Sequence, residues 1–153
     1  MTLNAIKGFL PVSEELATAG QPSAEQLAAV RAEGFEVVVN LGLLDPKYCL
    51  PDEAGTVAAL GMAYHHVPVD FQGPTGANFE EFQRVMRQAR GQRVFVHCAA
   101  NLRVSCFVAL FGESDLGWSR EQADAHIAKL WKPIPVWAAF LDAIRHDSRH
   151  EQK

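Results

Sequence analysis

The sequence predicts an α/β fold of three layers, in which a central, mainly parallel sheet is flanked by helices. Two observations predict it. Short runs of β-branched residues recur between segments whose apolar residues have helical spacing, and glycine, proline or polar residues close each segment. Strands that alternate with helices in this way form parallel sheets covered on both faces. Ligands bind such sheets beyond the carboxyl ends of the strands, and we expect a functional site there.

Length and composition describe one domain of ordinary size, and we expect it to span 1–153. The chain has 153 residues, 48% apolar and 21% charged. A domain of this length buries about 68–70% of the surface of its unfolded chain. The net charge of −4 argues against a nucleic-acid or anionic-lipid surface. Because neither a signal-peptide pattern nor a membrane-length apolar stretch is found, and three cysteines lack metal-ligand spacing, we expect a cytoplasmic protein without a membrane partner. The oligomeric state stays open.

Apolar periodicity and boundary residues predict the individual elements. Polar pairs three residues apart form capping boxes that start helices, and glycines end them. In the first half of the chain the pattern predicts a helix opened by Ser23 and Gln26 that ends near Gly34, a strand over 35–41 buried on both faces, a short helix over 52–60 and a strand over 62–69. A helix opened by Asn78 and Glu81 that ends near Gly91, a strand over 94–96 and a helix from Arg103 follow. The pattern then predicts a connection over 112–118, a helix opened by Ser119 and Gln122, a last amphipathic helix over 136–144 and a frayed polar tail from about residue 146.

The stretch over 94–105 combines a strand, a tight loop and the start of a helix. A short apolar run with strong β preference covers 94–96, and His97 and Cys98 follow it. A loop of small residues then leads to Arg103, where helical spacing begins. Such an arrangement directs backbone N–H groups and the positive end of a helix toward the space above the cysteine. We therefore expect an anion-binding loop with a thiol nucleophile in its floor.

Four residues around this cysteine have side chains that suit an anion site. Arg103 can hold two oxygens of an anion at once, which a lysine cannot do. Asn101 lies in the middle of the loop, where a tight turn requires a positive φ that asparagine tolerates best after glycine. Ser105 can donate a hydrogen bond to the sulfur of Cys98 and ease its departure as a leaving group. His97 can position the cysteine through its backbone or its ring.

The pair His97-Cys98, followed by a short loop and an arginine, resembles the signature of the cysteine-dependent protein tyrosine phosphatases, particularly their compact dual-specificity branch. The segments 19–23, 37–41 and 66–69 resemble, in the same order, segments of a bacterial phosphatase-like family of small single domains. The resemblance extends from about residue 18 to 119. It implies a tyrosine-phosphatase-like version of the α/β fold.

This resemblance also implies a mechanism and a set of residues. Cys98 would attack phosphorus and form a phosphocysteine, with the phosphate held by Arg103 and by the loop residues Ala99, Ala100, Asn101 and Leu102. An aspartic acid on a separate loop would protonate the leaving oxygen and then activate water. Asp70 is the best candidate, because it ends a strand and opens a Gly/Pro loop; Asp45 and Asp52 are alternatives. The expected partner is a phosphorylated protein or small molecule, and no metal or organic cofactor is implied.

The loop departs from the family signature, which has five residues between cysteine and arginine where this chain has four. Asn101 occupies the position of the family's glycine and Ser105 that of its hydroxyl. Arg103 alone is displaced, by about 100° around the start of the helix. A loop of this shorter length resembles that of rhodanese-type sulfurtransferases. Sulfur transfer through a Cys98 persulfide and an inactive anion-binding or interaction module are therefore the alternative functions.

The two remaining cysteines have separate expected roles. Cys106 is predicted to lie in the core. Cys49 lies in a loop flanked by prolines, where some phosphatases keep a thiol that protects the nucleophile as a disulfide, and a redox role for Cys49 is a hypothesis on that ground.

Overall fold

A computed structural model describes residues 2–151 of the chain, with side chains through Asp147. Residues 1, 152 and 153, the last two belonging to the expected polar tail, lie outside the described residues. After a 3₁₀ turn at Leu3–Ala5, the elements are β1 (Leu10–Pro11), β2 (Leu16–Ala19), α1 (Ala24–Ala32), β3 (Val37–Asn40), α2 (Glu53–Ala59), β4 (Ala63–His66), α3 (Gly76–Gln88), β5 (Val94–His97), α4 (Leu102–Asp115), α5 (Arg120–Ala128) and α6 (Pro135–Glu151).

The five strands form one sheet in the order β1-β2-β5-β3-β4. Only β1 is antiparallel to its neighbour, and the other four strands run parallel to one another. The register aligns Ala19 and Asn40 with His97 on either side of β5, and His66 with Asn40. The last residues of the four parallel strands therefore form one row. Cys98, which follows β5, lies near the middle of this carboxyl edge.

Side chains alternate along the central strands and divide the core into two layers. Val37, Val39 and Val96 face the layer that also contains apolar residues of α3, α4, α5 and α6. Val38 and Phe95 face the opposite layer, which contains buried residues of α1 and α2. The predicted three-layer α/β fold is thus confirmed. Within residues 2–151, no helix combines the length and the apolar character needed to cross a membrane.

The first two strands of the chain, β1 and β2, were not expected from the sequence. All four residues of β2 are buried, because this strand lies inside the sheet between β1 and β5. Its sequence, Leu-Ala-Thr-Ala, has only one β-branched residue and lacks the strong strand preference of β3 or β5. At the other end of the chain, α6 continues to Glu151, so the segment from residue 146 that was expected to fray is helical through that residue.

Three helices begin with capping boxes, and two of these are the predicted ones. Ser23 and Ser119 cap α1 and α5 as expected. The third cap is one turn earlier than predicted. Thr75 accepts a hydrogen bond from the backbone N–H of Asn78, and the Asn78 side chain accepts one from the backbone N–H of Thr75. Asn78 therefore completes the box, and its predicted pairing with Glu81 is wrong.

Helix α4 is longer than the sequence indicated, because it continues through the segment from Gly112 to Asp115 that was expected to be a connection. A Cβ atom at Gly112 would overlap the ring of Trp118. This glycine therefore makes room for a packed aromatic side chain and does not end the helix. The extra turn carries Asp115, which pairs with Arg87 of α3.

Candidate active site

The loop after β5 turns at Asn101, which has a φ of 69° and caps α4 in the left-handed conformation. The expected positive φ is therefore confirmed. The Asn101 side chain is fully buried, and its Nδ2 donates to the carbonyl oxygen of Gly8 at 2.8 Å and to Oγ1 of Thr18 at 2.9 Å. These bonds attach the turn to β2 and to the amino-terminal segment. The first N–H groups of an α-helix have no intrahelical acceptors, so those at the start of α4 are available to a ligand.

The loop is also attached to the end of β2 and to the segment that follows it. The backbone N–H of Cys98 donates to the carbonyl oxygen of Ala19 at 3.3 Å, and the N–H of Gln21 donates to that of Ala99 at 3.1 Å. A Cβ atom at Gly20 would lie 2.6 Å from the Ala99 oxygen, closer than any side chain tolerates. The glycine at position 20 thus permits the close approach of these two segments.

Arg103 lies in the first turn of α4 and is nearly buried, with 9% of its surface exposed. Its Nη1 donates a hydrogen bond of 2.9 Å to the carbonyl oxygen of Val69. The same side chain lines a cavity of about 180 Å³, and it is the only cation among the lining residues. The other lining residues are Gln21, Gly42, Leu43, Asp45, Tyr48 and Ala99. Leu43 and Tyr48 form the exposed, largely apolar part of this cavity.

Cys98 is buried and precedes Ala99, which forms part of the cavity wall. Cys106 is also buried, in α4, where burial raises the pKa of its thiol to about 12. A thiol with that pKa stays protonated near neutral pH and is a poor nucleophile. Of the two buried cysteines, Cys98 is the one that adjoins the loop and the cavity of Arg103.

Asp70 is exposed and belongs to a turn. Its Oδ1 accepts a hydrogen bond from the backbone N–H of Gln72 at 2.9 Å. The residues on both sides of it are fixed, because Val69 is bonded to Arg103 and the carbonyl oxygen of Phe71 accepts a 2.9 Å bond from Nε1 of Trp137. The loop of Asp70 is therefore anchored next to Arg103, although Asp70 is not among the residues that line the cavity.

The two alternative carboxyl groups have different positions. Asp45 lines the cavity together with Arg103, and its Oδ1 accepts from the backbone N–H of Lys47 at 3.0 Å. Asp52 is the N-cap of α2 and accepts from the N–H of Gly55 at 3.0 Å. The structure thus brings Asp45 to the cavity and gives Asp52 a structural partner. The general-acid role of Asp70 stays a prediction.

The Ser105 hydroxyl forms hydrogen bonds with groups other than the predicted sulfur of Cys98. It donates to the carbonyl oxygen of Leu102 at 2.6 Å and accepts from Nε1 of Trp131 at 2.9 Å. The sulfur within hydrogen-bond distance of the Ser105 Oγ is that of Cys106, at 3.9 Å, and not that of Cys98. Serine in the first turns of a helix often bonds a preceding backbone carbonyl in this way. The expected bond from Ser105 to Cys98 is therefore not formed in this structure.

A buried carboxylate that the sequence did not single out contacts His97, the residue before Cys98. Glu53 is 3% exposed, and its Oε2 lies 2.7 Å from Nε2 of His97, while its Oε1 accepts from Nε2 of Gln21 at 2.7 Å. Burial favours a raised pKa for Glu53, but the hydrogen bond and charge of His97, with the bond from Gln21, outweigh it and hold the pKa below its usual value. The sequence could have indicated this contact only through the order of the elements. The chain after β3 lies at the same edge of the sheet as Cys98.

Cys49 lines a second cavity, of about 490 Å³, with Tyr64 and His66 on its walls. The three thiols are free, and a crosslink between Cys49 and Cys98 stays a prediction. Within the part of the chain that the structure describes, no group of three or more His, Cys, Asp or Glu side chains could hold a metal ion.

Comparison with known proteins gives consistent matches. A family model described as DSP-PTPase phosphatase fused to NAD+ kinase matches residues 11–128. A Beta-lactamase hydrolase-like protein of Xylella fastidiosa (strain Temecula1) is 29% identical over 123 residues, which are 76% of this chain and 28% of that protein. The chain thus spans little more than a quarter of the length of this curated relative.

Two solved structures are similar over nearly the whole chain. The crystal structure of a DUF442 protein from Shewanella putrefaciens CN-32 is 30% identical, with a TM-score of 0.85 and 95% of each chain covered. A cysteine-to-serine variant of TpbA from P. aeruginosa, in complex with pTyr, is 16% identical, with a TM-score of 0.73 and coverage of 96% of this chain and 92% of that one. At that identity, the second likeness concerns the fold alone.

Proposed function

The chain belongs to the family of DSP-PTPase phosphatases described as fused to NAD+ kinase, and from this premise we propose that it hydrolyses a phosphomonoester through a phosphocysteine on Cys98. The resemblance to dual-specificity phosphatases expected from the sequence is confirmed for the family and the fold. The observation that supports the residue assignment most strongly is the cavity lined by both Arg103 and Ala99, directly after Cys98 in the loop.

The first step transfers the phosphoryl group to the enzyme. The thiolate of Cys98 attacks phosphorus, the sulfur–phosphorus bond forms, and the bond from phosphorus to the leaving oxygen breaks. Asp70 in its protonated form gives its proton to that oxygen, so the product leaves as a neutral alcohol or phenol. Arg103 and the first N–H groups of α4 hold the non-bridging oxygens, whose negative charge they stabilise.

The second step releases phosphate. Asp70, now a carboxylate, takes a proton from a water molecule, whose oxygen attacks phosphorus. The sulfur–phosphorus bond breaks, and its electron pair returns to Cys98 as the thiolate. Inorganic phosphate leaves, and Asp70 is again protonated. No redox partner enters the cycle, and each step uses only the substrate, water and side chains near the cavity.

The cavity supports a substrate with a single phosphate on an apolar or aromatic group. Its lining has one cation, Arg103, and one carboxylate, Asp45, which suits a monoanion or dianion better than a polyphosphorylated molecule. Leu43 and Tyr48, 45% and 60% exposed, offer apolar surface at its mouth. A phosphorylated protein or small molecule of this kind is the proposed substrate, and an aryl phosphate is the appropriate probe. A reducing, cytoplasmic compartment is part of the proposal, because the nucleophile must remain a free thiol.

The test gives the purified protein an aryl phosphate and, in a separate assay, thiosulfate with cyanide. We expect aryl phosphate hydrolysis that is lost in Cys98→Ser and retained in Cys106→Ala, a variant at a second buried cysteine. Thiocyanate formation without phosphatase activity would instead identify a sulfurtransferase. Binding of inorganic phosphate without turnover of either substrate would identify an inactive anion-binding module, and both results contradict the proposal.

A further inference from the structure

A groove of about 640 Å³ lies between α5 and α6, outside the cavity of Arg103. Its walls come from α5, from the connection that follows it, and from α6. The apolar part of the lining includes Ile127 and Leu141, which are buried, and Trp131, which is half-buried. Apolar grooves with a charged rim on a protein surface are typical binding sites for a segment of another chain.

The unpaired charges on the rim of this groove are positive. Charged side chains of both signs line it, namely Arg120, Lys129, Lys132, Arg145, Asp124 and Asp142. The carboxylates are already paired, because Arg145 lies 2.8 Å from Asp124 and Arg120 lies 3.8 Å from Asp142, and Arg145 also pairs with Glu113 at 2.9 Å. Among the side chains that the structure describes, no carboxylate forms an ion pair with either lysine. On a chain whose net charge is −4, the two lysines make this groove a local site for an acidic partner.

Trp131 connects the groove to the two segments that flank the candidate active site. Its Nε1 donates to Oγ of Ser105 at 2.9 Å, and Ser105 lies two positions after Arg103 in α4. Its ring packs against the ring of Phe71, with 5.8 Å between the centroids, and Phe71 directly follows Asp70. One side chain therefore separates the groove from the start of α4 and from the loop of Asp70. A polypeptide that is bound at the cavity of Arg103 has this groove as a neighbouring surface.

We propose that this groove binds an acidic segment of a phosphorylated protein, with an apolar side chain against Trp131 and carboxylates at Lys129 and Lys132. The inference rests on the proposed function, and it names a phosphoprotein as the substrate class. The exposed lysines attract carboxylates that keep most of their hydration, and the apolar side chain is stabilised by leaving water. Such a substrate gains affinity from residues remote from its phosphate, which a simple aryl phosphate lacks.

The first test measures binding without turnover, in the full chain with Cys98→Ser. The probe is a fluorescent, unphosphorylated peptide with one leucine among glutamates, and polarisation gives its Kd. We expect Lys129→Glu combined with Lys132→Glu to raise this Kd by about 10-fold. Arg84→Glu combined with Arg90→Glu is the matched control, because these side chains are 54% and 73% exposed and do not line the groove. Equal Kd values in the two double variants would overturn the proposal.

The second test fills the groove and leaves its charges in place. Ala138 is exposed on α6 and lines the groove, whereas the next residue, Ala139, is exposed and does not line it. We expect Ala138→Trp to raise the KM for an acidic phosphopeptide by about 10-fold and to leave kcat/KM for an aryl phosphate unchanged. Ala139→Trp should leave both values unchanged. An unaltered phosphopeptide KM in Ala138→Trp would contradict the proposal.

The two tests also separate this inference from the proposed function. The peptide can bind to a protein that hydrolyses no phosphate ester, and aryl phosphate can be hydrolysed by a protein that binds no peptide, so the two failures are distinguishable. Size-exclusion chromatography examines a second copy of the chain as the occupant. A dimer of the unmodified protein that Ala138→Trp dissociates, and Ala139→Trp does not, would assign the groove to self-association and contradict the proposal.

Discussion

Arg103 donates a 2.9 Å hydrogen bond from Nη1 to the carbonyl oxygen of Val69, and this bond joins the first turn of α4 to the loop of Asp70. The bond from Trp137 to Phe71 fixes the same loop on the other side of Asp70. Although the loop before Arg103 is one residue shorter than in the family signature, the Arg103 side chain lines the cavity. One of its guanidinium nitrogens is used in the bond to Val69. The remaining nitrogens are the ones we propose for the substrate.

This double use of the guanidinium predicts the effect of Arg103→Lys. Lysine keeps the charge, but its single ammonium group cannot hold Val69 and two phosphate oxygens in a planar fork. We expect kcat/KM for an aryl phosphate to fall by about 100-fold or more. Arg145→Lys is the control, because Arg145 is equally buried, at 8%, but pairs with Glu113 and Asp124 away from the cavity. Wild-type kcat/KM in Arg103→Lys would refute a role in phosphate binding.

The general acid can be identified through the leaving group. If Asp70 supplies the proton, Asp70→Asn slows substrates with poor leaving groups by about 10²–10⁴-fold and affects good leaving groups much less. Steady-state rates across a series of substituted phenyl phosphates measure this dependence. Asp45→Asn is the comparison, because Asp45 lines the cavity. A steeper leaving-group dependence in Asp45→Asn than in Asp70→Asn would assign the acid to Asp45 instead.

Asn101 is expected to stabilise the fold as well as shape the site. Asn101→Ala loses the two bonds of Nδ2 and places an alanine at a positive φ, so we expect the free energy of unfolding to fall by about 2–4 kcal/mol. Asn101→Gly loses the same bonds without the steric cost, and should be about 1 kcal/mol more stable than the alanine variant. Urea unfolding measures both. Equal stability of the two variants would show that the left-handed turn carries no cost for alanine.

His126 predicts a dependence of stability on pH. It is buried against Trp118, its Nε2 has no partner within the described residues, and burial, with the charge of Lys129, lowers its pKa from 6.5 to about 4. The unfolded chain takes up this proton below pH 6.5 and the folded chain only near pH 4, so stability is complete above 6.5 and is lost as the pH falls. The loss from this residue between pH 7 and pH 5 is about 2 kcal/mol. His126→Phe should remove that part of the decline in urea unfolding, and an unchanged decline would contradict the assignment.

The sequence was most informative where local chemistry decides the structure. The apolar run before Cys98, the serine caps of α1 and α5, and the positive φ of Asn101 depend on neighbouring residues, and all were predicted correctly. Strand β2 was missed because its alanines are buried by the strands beside it and not by their own preference. The end of α4 was misplaced because the space beside Gly112 is filled by a ring from outside the helix.

Contacts between distant segments account for the main omissions in the site. Glu53 and His97 are separated by 44 positions, and only the parallel register of β3 and β5 brings the ends of their segments to one edge. The partner of Arg103 is a backbone carbonyl, which has no signature in a sequence. Ser105 was assigned to the sulfur of Cys98 from its position in the motif, whereas its hydroxyl bonds the carbonyl of Leu102 within the same helix.

The phosphocysteine itself is the most direct test of the proposed function. Asp70→Asn protein is mixed with an aryl phosphate that has a good leaving group, quenched in acid within milliseconds, and digested for mass spectrometry. Loss of the base for the second step should let the intermediate accumulate, so the peptide that contains Cys98 is predicted to carry one phosphoryl group on sulfur. Turnover of the aryl phosphate with this peptide unmodified at every quench time would contradict the account.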